Sequence, residues 1–343
     1  PVARALRQAW PEAHIAWLVS GAFAGLLEAE PAVDEVIRFD RRYYARVFRS
    51  ATVTRDFFGF VGALRRRRFD LVIDLQGLFR SGFLAWASGA GVRIGFRDSR
   101  EFAWLFNTHQ LRTRRAQAHA LDRNLEALSL LGIDAGRPDA RPAYTPEDEQ
   151  SVRAALAEHG INAEDGYAVL VPSARWETKQ WPADRFGTLA AGILKAWGFR
   201  GLLVGGRDDH ETAEAARQAS DGAAINLCGR TTLRQLAVLI AAARVVVTAD
   251  SSPMHMAAAF RRPLVALFGP TSPARTGPYG MPDAVLRLDL ACSPCYLRKR
   301  RDCPFELKCL HDLSVERVLA AVSAALSGTD PIAVPRVGCQ ESQ

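Results

Sequence analysis

The sequence predicts an α/β protein of two doubly wound domains facing each other across a cleft, and three observations carry that prediction. Strand-length apolar runs alternate with helix-length amphipathic stretches through most of the 343 residues, the pattern of parallel sheets with crossover helices. A proline-rich polar stretch, DAGRPDARPAYTP at 134–146, divides the alternation into two series. In the second series the runs are continuously apolar, as strands covered by helices on both faces must be.

In the first series, helical spacing over residues 2–10 stops at Pro11, HIAWLV at 14–19 is a strand, and a helix follows from Phe23. VDEVIRF at 33–39, FDLVIDL at 69–75 and VRIGF at 92–96 are further strands, with helices over 54–68, 78–88 and 119–131. Residues 1–145 are therefore expected to form the first domain. The second, 146–312, opens with a helix over 146–159 and continues through the strands YAVLVP (167–172), RGLLVGG (200–206), AINLC (224–228), RVVVTAD (244–250) and PLVALFG (263–269). A closing helix is expected within 313–328 and a disordered tail over 329–343.

Composition narrows the class. No apolar run approaches the roughly 18 residues that span a bilayer, and six cysteines in 343 residues do not make a disulfide scaffold, so a reducing cytoplasm is the expected compartment. The net charge of +7 is unevenly spread: residues 1–123 hold 20 arginines, no lysine and 12 acids, a surplus of eight, and the rest is close to neutral. Such a surplus is either a solvated face or a surface for an anionic partner. Zinc-finger spacing and RNP-like aromatic strands are missing, so nucleic acid is not the expected partner. Neither GxxxxGK[ST] nor GxGxxG occurs, against a P-loop ATPase or a typical dinucleotide dehydrogenase.

Ligands of open α/β sheets bind beyond the carboxyl ends of the strands, and there the chemistry-bearing residues collect. The run ARVVV enters TADSSPMHMAAAF at 248–260, placing Asp250 at a strand end, Ser251 or Ser252 as helix cap, and Pro253 in the first turn. His255 follows within that turn. A helix start with free amides suits a phosphate; simple capping is the competing reading. YAVLVP leads into SARWETKQWP with Lys179, RGLLVGG into Asp208 and Asp209, which suit either a ribose or a cap, and VALFG into the turn-rich PTSPARTGPYG at 270–280.

These segments, with LCGRTTLRQLAVLIAAARVVVTADSSPMHMAAA, FDLVIDLQGLFRSGFLA and GVRIGF, resemble the ADP-heptose:lipopolysaccharide heptosyltransferases over most of residues 1–328. That family consists of inverting, metal-independent glycosyltransferases of the GT-B fold, two Rossmann-like domains. The resemblance implies an N-terminal acceptor domain and a C-terminal donor domain that binds ADP-L-glycero-β-D-manno-heptose, with no cofactor. It implies that Lys179, flanked by Arg175 and Thr178, holds the donor diphosphate. Asp250 would contact donor sugar hydroxyls, Ser251, Ser252 and His255 would surround the phosphates, and Gly229 and Asp209 would lie near the nucleoside. Ser252 stands where the family commonly has glycine.

Displacing ADP builds charge on the leaving diphosphate, so a lysine and a helix start can lower the barrier, while inversion needs a base for the acceptor hydroxyl. The family's base is an aspartate in a loop after its first strand. This sequence opens on a helix instead, so a protein starting at Pro1 is expected to bind donor and to transfer sugar slowly. The resemblance also implies an anionic acceptor, the Kdo–lipid A inner core, met at the cytoplasmic leaflet of the inner membrane by a peripheral monomer. Gln76, Arg80, Arg93, Arg97 and Arg123 are the acceptor candidates, with Asp74 positioning their loop.

Cys292, Cys295, Cys303 and Cys309 form CxxC-x7-C-x5-C; free thiols in a basic loop, with no metal, are the expected reading, and a structural zinc, which the count of four thiolates would suit, is the alternative. Two other functions compete with heptosyl transfer: a non-catalytic sugar-nucleotide binding module, and a GT-B transferase or epimerase using a UDP-sugar.

Overall fold

A computed structural model of the chain describes residues 1–113, 119–136, 139–162 and 165–328. The tail over 329–343 lies outside the described residues. The chain separates into two compact units, one running from Pro1 to Asp139 and one beginning at Ala140, so the division falls inside the proline-rich stretch. No helix among the described residues is long and apolar enough to cross a membrane.

The first unit runs α1 (Val2–Ala9), β1 (Ala16–Ser20), α2 (Gly21–Leu27), β2 (Glu35–Phe39), α3 (Arg41–Tyr44), α4 (Ala51–Arg66), β3 (Leu71–Ile73), α5 (Phe79–Ala87), β4 (Val92–Phe96), β5 (His109–Leu111) and α6 (Ala120–Glu126). Each expected strand is present, but they do not share one ladder. β1 pairs with β2, and β3, β4 and β5 make a separate sheet, all parallel. Side chains join the two sheets instead: Trp17 of β1 and Ile73 of β3 pack in one cluster with Val2 and Ala5 of α1 and with the fully buried Leu128. The helix expected over 119–131 relaxes after Glu126 into a 3-10 turn, Ala127–Leu131, closed by Gly132 at φ 70°.

In the second unit, α7 (Pro146–Glu158) precedes β6 (Tyr167–Val171), α8 (Ala183–Trp197), β7 (Arg200–Leu203), α9 (His210–Gln218), β8 (Ala224–Asn226), α10 (Leu233–Ala242) and β9 (Val245–Ala249). Then come α11 (Ser252–Ala259), β10 (Leu264–Phe268), α12 (Pro273–Thr276), β11 (Val285–Arg287), α13 (Lys308–His311) and α14 (Val315–Ser327). Six parallel strands lie in the order β11-β10-β9-β6-β7-β8. Every residue of β6, β9 and β10 is buried, which is why those runs read as continuous Val, Leu and Ala. Chain order reverses between β6 and β9, so the loops leaving these neighbouring strands flank a switch point, where such sheets bind ligands.

Close helix contact on one sheet face depends on Gly187. A Cβ there would lie 2.3 Å from the Ala216 carbonyl oxygen and 2.7 Å from Ala219 Cβ, so α8 and α9 touch through backbone. Gly187→Ala is expected to destabilise the fold by about 1–3 kcal/mol through overpacking, despite alanine's better helix propensity. Urea unfolding measures this, and an unchanged or raised midpoint would contradict it.

Candidate active site

The loops leaving β6, β9 and β10 converge on one carboxylate. Asp250 directly follows β9 and is only 7% exposed. Lys179 ends a 3-10 turn, Glu177–Lys179, in the loop after β6, and β6 is paired with β9. Its Nζ donates to Asp250 Oδ2 at 2.6 Å and reaches the Asp250 carbonyl oxygen at 3.4 Å. From the loop after β10, the buried Thr271 hydroxyl donates to the same Oδ2 at 2.7 Å, and Thr276 does so at 3.4 Å. Three donors on one oxygen hold the carboxylate in a single orientation, and the ammonium is charge-assisted there. The Lys179 ammonium also stands 4.4 Å from the centre of the Trp176 ring, against which the Arg298 guanidinium packs at 4.9 Å.

Beside this pair begins α11, with Ser251 at its N-cap and Pro253 in the first turn. The expected serine cap is not made. Thr248 is fully buried, and its hydroxyl needs partners, which it finds in the Ala249 carbonyl at 3.0 Å and Ser251 Oγ at 2.9 Å. Ser251 is thereby committed to a buried neighbour, and the first amides of α11 carry no side-chain cap. Ser252 and His255 are exposed on that first turn.

Other donor-side candidates divide by what they touch. Arg175 is exposed. Thr178 is buried, and its hydroxyl donates to the Leu297 carbonyl at 2.6 Å, so it braces the cysteine loop against the Lys179 turn. Asp209 accepts the Gly206 amide at 2.7 Å, which is the capping reading of that acid. Gly229 sits at φ 75°, and a Cβ there would come within 2.9 Å of Arg207 Cγ, so glycine lets this turn close on the loop after β7.

In the first unit, Asp74 acts as expected: its carboxylate accepts the amides of Gln76 and Gly77 at 3.0 Å each and the Ser81 hydroxyl at 2.9 Å. That fixes the loop after β3. Gln76 and Arg97 are exposed and Arg80 is partly exposed. The other two acceptor candidates have partners within their own unit. Arg93 spends its guanidinium on the carbonyls of Phe106 and Ala90. Arg123 pairs with Asp98 at 2.9 Å and lies 3.9 Å from the Phe96 ring centre. Both arginines satisfy the backbone and packing of their own unit.

The sequence matches the glycosyltransferase family 9 (heptosyltransferase) model over residues 58–306. The chain belongs to glycosyltransferase family 9. Lipopolysaccharide heptosyltransferase 1 of Salmonella typhimurium is 30% identical over 282 residues, 80% of this chain and 84% of that protein. Lipooligosaccharide heptosyltransferase 2 of Haemophilus ducreyi is 31% identical over 242 residues, 66% of this chain and 68% of that one. Among solved structures, the E. coli heptosyltransferase WaaC with ADP superposes with a TM-score of 0.71 at 26% identity, covering 94% of this chain and 93% of that chain. A family 9 glycosyltransferase from Veillonella parvula gives a TM-score of 0.78 at 23% identity, over 96% and 92% of the two chains, and shares the fold. The protein is thus a glycosyltransferase of GT-B fold.

Within this family 9 site, Thr271, Thr276, Trp176 and Arg298 are the residues that sequence reading passed over. The threonines stand in the turn-rich loop over 270–280, expected to close over a ligand but with no residue singled out, and Arg298 reaches Trp176 from more than a hundred positions away, where spacing gives no signal.

Cys292, Cys295, Cys303 and Cys309 do line one pocket, floored by Gly269 and Pro270 after β10. Their arrangement lends the zinc alternative no support: among the described residues no three His, Cys, Asp or Glu side chains are grouped so as to hold a metal ion. Burial, and then the three neighbouring cysteines, push the Cys309 thiol up to about 11, while burial pushes Cys228 up to about 12. At pH 8 a thiol near 11 is about one part in a thousand thiolate, so iodoacetamide should label the exposed Cys292 and Cys295 well before Cys309 or Cys228. Peptide mapping by mass spectrometry reads this order, and equal labelling of the native protein would contradict it.

Proposed function

We propose that the protein transfers L-glycero-D-manno-heptose from ADP-heptose to the anionic inner core of lipopolysaccharide, with inversion, at the cytoplasmic face of the inner membrane. The Lys179–Asp250 contact carries the donor half of this reading. A cation held at 2.6 Å from a carboxylate is poised for exchange: an arriving diphosphate offers Lys179 a more highly charged partner, and Asp250 is left to accept hydroxyls of the sugar. As the bond from the anomeric carbon to the diphosphate breaks, negative charge grows on the leaving oxygen. Lys179 and the uncapped amides of α11 then stabilise the transition state more than the ground state. These groups supply the positive charge locally, so the reading calls for no metal.

Acceptor recognition falls to Gln76, Arg80 and Arg97, at the loops that follow β3 and β4. The Arg100 amide donates to the Gly77 carbonyl at 3.0 Å, which ties those two loops together. Calorimetric titration with ADP-heptose and with UDP-linked sugars tests the donor assignment. Selective binding of ADP-heptose is expected; preference for a UDP-sugar, or no binding by a folded protein, would overturn it.

A further inference from the structure

The first unit exposes a continuous aromatic surface that the transfer reaction does not use. Phe58 on α4, Phe79 and Trp86 on α5, and Phe102 and Leu105 beside the 3-10 turn Ala103–Phe106 are each more than half exposed. Isolated exposed apolar side chains are ordinary, but Phe58, Phe79 and Trp86 are linked through ring contacts. Phe57 joins Phe58 to Phe83 with ring centres 6.0 and 6.2 Å apart, Phe83 contacts Phe79 at 6.4 Å and Trp86 at 5.7 Å, and Phe106 contacts Phe79 at 5.3 Å. Phe79, Phe83 and Trp86 fall at i, i+4 and i+7 on α5, one stripe along the helix.

Cations border the stripe. The exposed positions of α4 include Arg55, Phe58, Arg65 and Arg66, and positions 55, 58 and 66 recur at helical spacing on one face. Arg100 stands two positions before Phe102. Arg55 pairs with Asp56, and Glu101 accepts the Phe79 amide at 3.2 Å. The whole segment 1–123 carries its surplus of eight positive charges on arginine alone, the side chain that binds phosphate bidentately.

We infer that this aromatic stripe, with its bordering arginines, is a docking surface for an anionic lipid bilayer, the rings entering the headgroup region and the guanidinium groups meeting phosphates. Tryptophan and phenylalanine favour that depth, and basic residues near an anionic leaflet add to the attraction. The surface deepens the functional reading and rests on it in one respect: an acceptor anchored in a membrane has to be met at the membrane.

Vesicle co-sedimentation tests it, using phosphatidylcholine with and without phosphatidylglycerol. The wild-type protein is expected to bind the anionic vesicles. The double variant Phe58→Gln/Trp86→Gln should partition roughly 10- to 100-fold less, since two aromatic side chains no longer leave water, while keeping cooperative unfolding. Leu105→Gln provides a second, milder loss, and Arg65→Gln/Arg66→Gln should abolish most of the preference for phosphatidylglycerol. Wild-type protein that ignores both vesicles, or aromatic variants that bind as the wild type does, would overturn the inference. So would a wild-type dimer that the aromatic substitutions break apart without any vesicle binding, because a second copy would then own the surface. ADP-heptose calorimetry on the same preparations separates the two claims: intact donor binding with no vesicle binding sinks only the docking surface.

Discussion

Lys179→Ala is expected to weaken ADP-heptose binding by about 10- to 100-fold, the loss of one charge-assisted contact worth roughly 1.5–3 kcal/mol. It also leaves Asp250, whose side chain is only 6% exposed, without its counter-charge, a cost that the hydroxyls of Thr271 and Thr276 offset in part. Asp250→Ala is the harsher change. It leaves an ammonium whose side chain is only 14% exposed without its counter-charge, and breaking a buried pair from one side costs about 3–5 kcal/mol of stability. Its binding signature also differs: with the sugar contact gone, preference for ADP-heptose over ADP should disappear, whereas Lys179→Ala should weaken both. Calorimetry with the two ligands, alongside urea unfolding, separates these outcomes. Donor binding by Lys179→Ala within about twofold of wild type would remove Lys179 from the site, since a charged contact is worth more than that.

A second large effect is structural. Trp181 is 1% exposed, lies edge-on to Phe186 with ring centres 5.1 Å apart, and donates its indole N–H to the Leu313 carbonyl at 2.9 Å. It thereby pins the segment that enters α14 to the start of α8. Trp181→Ala should cost about 3–5 kcal/mol as a cavity opens. Trp181→Phe should cost far less, on the order of 1 kcal/mol for the lost hydrogen bond, because Arg185 still donates to the Leu313 carbonyl at 2.9 Å. Denaturant unfolding of both variants gives the comparison, and a loss below about 1 kcal/mol for the alanine variant would show that the site collapses around the gap.

The strands β6 to β10 were legible as segments, and the burial of β6, β9 and β10 with them, because nothing but apolar runs fits strands covered on both faces. Lys179 and Asp250 were legible from their positions at strand ends. What joins them was not: a six-stranded order that puts β6 beside β9 brings together residues 71 positions apart, and local spacing carries no such information. The same holds for Thr271 and for the Arg298–Trp176 contact. In the first unit α3 and β5 were not foreseen and the pairing of the other strands was not readable, since β3 and β5 span only three residues each and side chains join the β1 and β3 sheets. The partners of Arg93 and Arg123, carbonyls and a carboxylate of their own unit, were likewise not legible from charge.

The site proposed for the donor diphosphate, where Lys179, Asp250 and the start of α11 meet, is open to a crystal structure of the protein with ADP-heptose. In that structure Lys179 Nζ should exchange Asp250 for a diphosphate oxygen, the α11 amides should face the phosphates, and Asp250 should accept a heptose hydroxyl. Nucleotide bound elsewhere, with the Lys179–Asp250 contact still closed, would contradict this placement.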